Sequence, residues 1–283
     1  MANYTAADVK ALRDKTGAGM MDAKKALDEA NGDFDKAQEI LRIKGAKAAT
    51  KRSGRTAANG LVASHVSAVD GGMRGVLIEV NAETDFVAKN EKFIEMADEI
   101  LTAAVDSGAE TVEELLATKL GDGTVEDRVT GMIAVIGEKL VVSNIAVLKG
   151  EHVAAYMHRT NPDLPPQVGV LIATDAAGAG IAHDVAVHIA ALSPSYLSIE
   201  DVPADVVETE KRIATETTIA EGKPEKAVPK IVEGRMHGFY KQVVLLEQGY
   251  AREPKTPVKK VVKDAGATIT GFARIRVGES AAE

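Results

Sequence analysis

The sequence predicts an α+β fold: a small helical module, then a core in two similar halves, with a pair of helices inserted in the second half. Three observations carry this prediction. Short β-branched runs bounded by glycine alternate with segments of helical apolar spacing, and the pattern occurs twice. Three short segments with helix-cap signals come before the first such run. Two charged, helix-forming segments joined by Gly222-Lys223-Pro224 interrupt the second half ahead of a last strand. On this reading residues 1–55 are the helical module and a basic linker, 56–138 the first half, 139–277 the second half with an antiparallel helical hairpin at 194–240, and 278–283 a short tail. A chain of 283 residues is long enough for such an arrangement.

In the module, Thr5 caps a first helix over 6–15 with Val9 and Leu12 on its apolar face, and Thr16-Gly17-Ala18-Gly19 breaks it. A second helix over 22–30 ends at Asn31-Gly32. Asp33 caps a third, with Phe34, Ala37, Ile40 and Leu41 inward. From Arg42 to Arg55 there are six Lys and Arg, two Gly and no acidic residue. Such a stretch is either a nucleic-acid arm or a solvated linker fraying from the third helix. With no aromatic side chain interleaved to stack on bases, the linker is the expectation.

The core begins with strands at 60–69 and 75–80 around a Gly-Gly turn, and a helix from Phe86 with Phe93, Met96, Ala97, Ile100, Leu101 and Ala104 inward. Thr111 opens a helix over 112–120, and another over 125–136 is closed by Gly137. Strands at 144–148, 152–158 and 168–173 and a helix at 181–192 make the second half. The inserted segments, 203–220 and 225–240, are expected to face each other through Val206, Ile213, Thr217 and Ala220 against Val228, Ile231, Val232 and Phe239, with Pro229 delaying or kinking the second. Thr256 as cap and Pro257 as first residue start a last helix, Gly266 ends it, and 267–277 is the last strand.

Composition narrows the chemistry. Apolar residues make up 45% of the chain, with no Trp, five Phe and five Tyr, so the core must be aliphatic. The absence of Cys excludes disulfides, a thiolate nucleophile and a cysteine metal site. Residues 1–55 hold 12 Lys and Arg against 8 Asp and Glu, the remainder 22 against 34, so a broad nucleic-acid surface on the core is not expected. No apolar run reaches membrane-spanning length and residues 1–20 have no leader character, which predicts a soluble, cytosolic chain without membrane contact. His183 and His188 are five apart and point about 140° from each other on a helix, so they cannot share a zinc ion. His188 instead shares a face with Asp184, an expected surface or partner contact. No P-loop is present, and the strand-and-glycine segment 168–183 only imitates a dinucleotide fold, with His183 at its third glycine position.

The most informative stretch joins strand to helix at residues 79–90. Thr84 or Asp85 can cap the helix there, with Phe86 packing back on the core; alternatively a carboxylate and a ring stand at the tip of a rigid turn and point at a partner. Local chemistry leaves both open. Met20 and Met21, beside a glycine-rich turn, are adjacent and cannot both point inward, so one is expected in the core and one on the surface.

Glu79-Val-Asn-Ala-Glu-Thr-Asp-Phe-Val-Ala88 closely resembles the second signature of the bacterial elongation factor Ts family, the nucleotide exchange factors of elongation factor Tu. Leu12-Arg-Asp-Lys-Thr-Gly-Ala-Gly-Met-Met-Asp-Ala-Lys-Lys-Ala-Leu27 resembles the first. Two long motifs in the right order are far more specific than one, and the resemblance extends over nearly the whole chain. It implies a cytoplasmic exchange factor in translation elongation that binds elongation factor Tu, both GDP-bound and nucleotide-free. Thr84, Asp85, Phe86 and Val87 are implied to disturb the partner's magnesium and phosphate site, Val168, Gly169 and His188 to engage neighbouring helices, and Leu12, Arg13, Met20 and Met21 to contact the same domain. The nucleotide stays on the partner, so no cofactor, metal or catalytic residue is expected in this chain. The resemblance also makes the module ubiquitin-associated-like and the hairpin a coiled coil. Pro229 and Gly238 interrupt the regular pairing on which a hairpin-mediated 2:2 assembly would depend. Some family members continue into a C-terminal helical module, a contact expected to be missing where this sequence ends. Rival classes are a binding adaptor without exchange activity and a dinucleotide oxidoreductase built on Gly178 to His183.

Overall fold

The computed structural model describes residues 3–279; residues 1 and 2 of the module and 280–283 of the tail lie outside the described residues. Helices α1 (Ala6–Thr16), α2 (Met20–Glu29) and α3 (Phe34–Arg52) close around Leu12, Ala23, Ala26, Leu27 and Ala37, each fully buried. Thr5 and Asp8 form a reciprocal capping box on α1, and Asp33 caps α3.

The basic stretch is not a linker. It is the second half of α3, which runs on to Arg52 and packs along a helix of the core over 125–136. A Cβ at Gly45 would lie 3.3 Å from Thr130 O, Ala48 and Ala49 pack on the first core cluster, and Arg52 Nε donates to Gly137 O at 2.8 Å. Small residues suggest flexibility in a sequence, but here they let two helix backbones approach. The Arg42–Asp127 pair (2.7 Å) and the Lys15–Asp122 pair (3.0 Å) bridge module and core at the same place.

The first half comprises β1 (Asn59–Val69), β2 (Gly72–Ala82), α4 (Asp85–Ala88), α5 (Glu91–Ser107), α6 (Val112–Ala117), β3 (Lys119–Leu120), β4 (Gly123–Thr124), α7 (Val125–Ile136) and β5 (Leu140–Gly150). Its antiparallel sheet has the order β1-β2-β5. Val76, Ile78 and Val80 on one face of β2 meet Phe93, Met96 and Ile100 of α5 and Val129 and Ile133 of α7. The helix expected from Phe86 is two helices, because Asn90 caps α5 by accepting the Lys92 N–H and so ends the preceding turn. The helix expected over 112–120 stops at Ala117, where Lys119–Leu120 pairs with Gly123–Thr124.

The second half follows with β6 (His152–His158), β7 (Val168–Thr174), α8 (Ala179–Leu192), α9 (Ala204–Ala220), α10 (Val228–Val243), β8 (Gly249–Tyr250), β9 (Glu253–Pro257), α11 (Val258–Asp264) and β10 (Ile269–Arg276). Its sheet, ordered β10-β7-β6, is also antiparallel, so the dinucleotide-like pattern at 168–183 has no parallel neighbour to complete it. The two sheets pack face to face through Val62, Leu77, Leu171 and Ile275. Two glycines permit the approach reciprocally. A Cβ on Gly169 of β7 would come 2.5 Å from Leu77 Cδ1, and one on Gly75 of β2 would come 3.0 Å from Leu171 Cδ2.

The inserted pair, α9 and α10, packs through Ala214 and Thr218 against Val232 and Met236. This face is displaced by one position from the expected one: Ile213 and Thr217 point outward, and Ile213 is 44% exposed. Pro229 sits in the first turn of α10, so it starts the helix and does not kink it. The helix expected at Pro257 starts one residue later, with Pro257 in the cap position.

Candidate partner-binding site

Between β2 and α5 the chain makes a single helical turn, α4, whose cap is Thr84. One turn starting there sends consecutive side chains in different directions. Val87 enters the first core and Ala88 is buried beside it in the chain, while Asp85 and Phe86 face solvent, with Phe86 73% exposed. The Lys89 ammonium lies 4.8 Å above the Phe86 ring. Thr84 does cap the turn, and the exposure of Phe86 rules out the ring packing back on the core. The Val87 side chain is buried under the turn and anchors it.

The turn rests on residues 137–139, which join α7 to β5. Thr84 donates twice to the Glu138 carboxylate, from its backbone N–H at 3.0 Å and from its hydroxyl at 2.8 Å. In the other direction, Glu83 Oε1 accepts the Lys139 N–H at 2.6 Å, and the Arg55 guanidinium lies 3.2 Å from both Glu83 oxygens. The Lys139 N–H bond, assisted by Arg55, holds the Glu83 carboxyl below the usual carboxylate range against the opposing effect of desolvation. Asn59 Nδ2 donates to Glu83 O at 2.8 Å. Sequence reasoning missed Glu138 altogether. It is 54 positions from Thr84, and nothing local to either residue connects them.

The other expected contact residues divide by burial. Arg13, Met20 and Met21 are exposed, the methionines by 47% and 62%. Both Met side chains face out because α2 begins at Met20 and its inward face is Ala23, Ala26 and Leu27. Leu12 is fully buried in the module's core. Val168 and Gly169 are buried on opposite faces of β7, and Gly169 alone lies against the other sheet, where Leu77 approaches it closely.

His188 is likewise corrected from surface to interior. Its Nδ1 accepts the Ala251 N–H at 3.0 Å, which leaves the proton on Nε2 to be donated to Gln248 Oε1 at 2.9 Å. Gln248 Nε2 in turn donates to Gln242 O at 2.8 Å, and the Tyr250 ring stacks on the imidazole. Burial lowers the His188 pKa from its usual 6.5, outweighing the Gln248 bond, so the ring is a neutral strut. On the exposed side of this half stand Tyr156 and His158, bonded at 3.0 Å, with His183 edge-on to the tyrosine ring. Their alternation on β6 is the sequence signal that could have marked them. No group of three or more His, Asp or Glu among the described residues is placed to hold a metal, and no helix there is long and apolar enough to cross a membrane.

Comparison with known proteins adds a family to this geometry. The family model described as Elongation factor TS matches residues 83–279, a span that begins at the tip. The chain is similar to the protein named Elongation factor Ts of Micrococcus luteus, with 59% identity over 281 residues, covering 98% of this chain and 100% of the relative. The same name is carried by a protein of Arthrobacter sp. strain FB24, 60% identical over 281 residues, and by one of Beutenbergia cavernae, 56% identical over 280; each alignment covers 98% of this chain and 100% of the relative.

Proposed function

The chain belongs to the elongation factor Ts family, and from that premise we propose that it is a guanine nucleotide exchange factor acting in the cytoplasm. In this reading it binds elongation factor Tu carrying GDP, disturbs the magnesium and phosphate site through Asp85 and Phe86, and leaves an empty partner ready for GTP. The observation that carries the reading is Phe86, 73% exposed on a turn that is bonded on both sides. A lone large ring held rigidly in water has no role in this chain's own core. Arg13, Met20 and Met21 on the ubiquitin-associated-like module supply a second contact, and the adaptable methionines suit it. Val168, Gly169 and His188, buried in this chain, brace the second half, through which it engages neighbouring helices of the same partner domain.

The physics is reciprocal. A protein that binds the empty partner better than the GDP-bound one must weaken GDP by the same factor. A weakening of about 10⁴ requires roughly 5.5 kcal/mol of differential contact. Burying one Phe supplies about 1.5–3 kcal/mol, so the ring does not suffice. Asp85 adds a carboxylate that disfavours the magnesium-bound arrangement, and magnesium loss leaves the phosphates unneutralised. The nucleotide site belongs to the partner, and this chain contributes no catalytic group.

Release of a fluorescent GDP from elongation factor Tu, with this chain present at substoichiometric amounts, tests the reading. Multiple turnovers of release support exchange. Complex formation without acceleration would leave a binding adaptor in its place.

A further inference from the structure

We infer that Glu138 is the positioning residue of the tip: through Thr84 it sets the direction in which Asp85 and Phe86 are presented, and so the rate of nucleotide release. The inference rests on the exchange reading and deepens it by naming what aims the tip.

The α4 turn has four residues, too few to be helical unaided. Its geometry must come from its cap and from what the cap touches. Thr84 Oγ1 accepts the Val87 N–H at 3.4 Å, and the same hydroxyl donates to Glu138 Oε1 at 2.8 Å. With the hydroxyl proton committed to Glu138, its lone pairs remain free for Val87. The Thr84 N–H, the other polar group at the start of the turn, goes to Glu138 Oε2. One carboxylate therefore fixes both the cap and the backbone just ahead of Asp85. Charge-assisted bonds of this kind are about twice as strong as neutral ones.

The arrangement is reciprocal. Glu138 reaches from the α7–β5 turn to the Thr84 backbone, and Glu83 reaches back from the tip to the Lys139 backbone. Only one of the two carboxylates has a cation beside it in this arrangement: Arg55 pairs with Glu83 and fastens the base of the tip. Glu138 acts one residue closer to the exposed pair. The same three-residue turn also receives α3, since Arg52 donates to Gly137 O and Lys139 Nζ donates to Ser53 O at 2.6 Å and Arg55 O at 2.8 Å. The helix that carries the module and the tip that carries Phe86 are thus tied to one support.

The test is steady-state GDP release from elongation factor Tu by the native chain, Glu138→Ala, Glu138→Gln, Thr84→Val and Phe86→Ala, with thermal melts of each. Glu138→Ala should lower kcat roughly tenfold to a hundredfold with KM changed by less than about threefold, since the binding surface is intact but misdirected. Glu138→Gln, which keeps one acceptor, should fall between Ala and native. In a Phe86→Ala background, Glu138→Ala should cause a smaller further loss than in the native chain, because only Asp85 is then left to misdirect. Thr84→Val removes only the hydroxyl arm and should reproduce part of the kcat loss, which keeps the test valid if Glu138→Ala does not fold. Native-like kcat in folded Glu138→Ala, or in Thr84→Val should Glu138→Ala not fold, would overturn the inference while leaving exchange standing. So would an undiminished loss on top of Phe86→Ala. If the native chain itself fails to accelerate release, the exchange reading falls and takes the inference with it.

Discussion

Strands β2 and β7 carry the same four residues, Gly75-Val76-Leu77-Ile78 and Gly169-Val170-Leu171-Ile172, and each is the middle strand of its sheet. Within the tetrapeptides the halves behave alike. Each leucine points across the sandwich toward the other strand's glycine, and each valine and isoleucine faces its own helices. Beyond them the halves part. β2 leads to the Thr84 cap and an exposed phenylalanine. β7 leads to Asp175, which accepts the Gly178 N–H at 2.9 Å, and to a turn of two alanines and a glycine. The large side chain of the second half, His188, is turned inward to fasten α8 to the segment after α10. The repeated part builds the scaffold, and the exposed ring stands on the part that is not repeated.

The largest expected effect that separates the halves is on stability. His188→Ala should destabilise the fold by about 3 kcal/mol, from lost packing plus an unpaired Gln248 oxygen and Ala251 N–H. Denaturant titration measures it, and a loss below about 0.5 kcal/mol would mean the ring is no strut. Its titration has a definite sign. The folded pKa lies below the unfolded 6.5, so the unfolded chain takes up the proton first. The His188 contribution is therefore complete above pH 6.5 and declines as pH falls below it, with Asp184, Arg252 and Tyr250 the charged and titratable neighbours on that side. A melt series across that range in native and His188→Ala chains should show the slope in the native chain only.

A smaller effect comes from the shared part. Gly169→Ala forces a methyl against Leu77 and should cost about 1–3 kcal/mol, and Gly75→Ala should cost a similar amount from the other side. Very unequal losses would break the likeness of the two strands. Smallest is the pair Met20→Ala and Met21→Ala. Both side chains are exposed, so melting should move little while affinity for elongation factor Tu weakens several-fold, read by titration calorimetry. A large drop in melting temperature would return those methionines to a core role.

The sequence reveals much of this where the signal is local. The caps Thr5, Asp33 and Thr111, the stop at Gly137 and the strand 152–158 are legible because each depends on residues within one turn or one glycine. It is misleading where the partner is distant. The end of α3 has the composition of a linker until α7 supplies Thr130, and nothing near Gly169 in the sequence shows that Leu77 of β2 lies against it. The α9 face was displaced by one position because Ala214 and Thr218, the residues that pack, are less apolar than Ile213, which does not. At the tip, Asp85 and Phe86 were identifiable by motif, but whether the ring faced in or out depended on Val87 taking the inward position. The seat on Glu138 bridges 54 positions and has no trace in either segment alone.

The most direct test of the account compares GDP release from elongation factor Tu catalysed by the native chain and by Phe86→Ala, at matched concentration and with both melts recorded. The account predicts a native-like melt for Phe86→Ala, since a ring 73% exposed holds little of the fold together, and release slowed roughly tenfold to a hundredfold. Native-rate release by a folded Phe86→Ala chain would contradict it, and the presented ring would no longer be the working part of the tip.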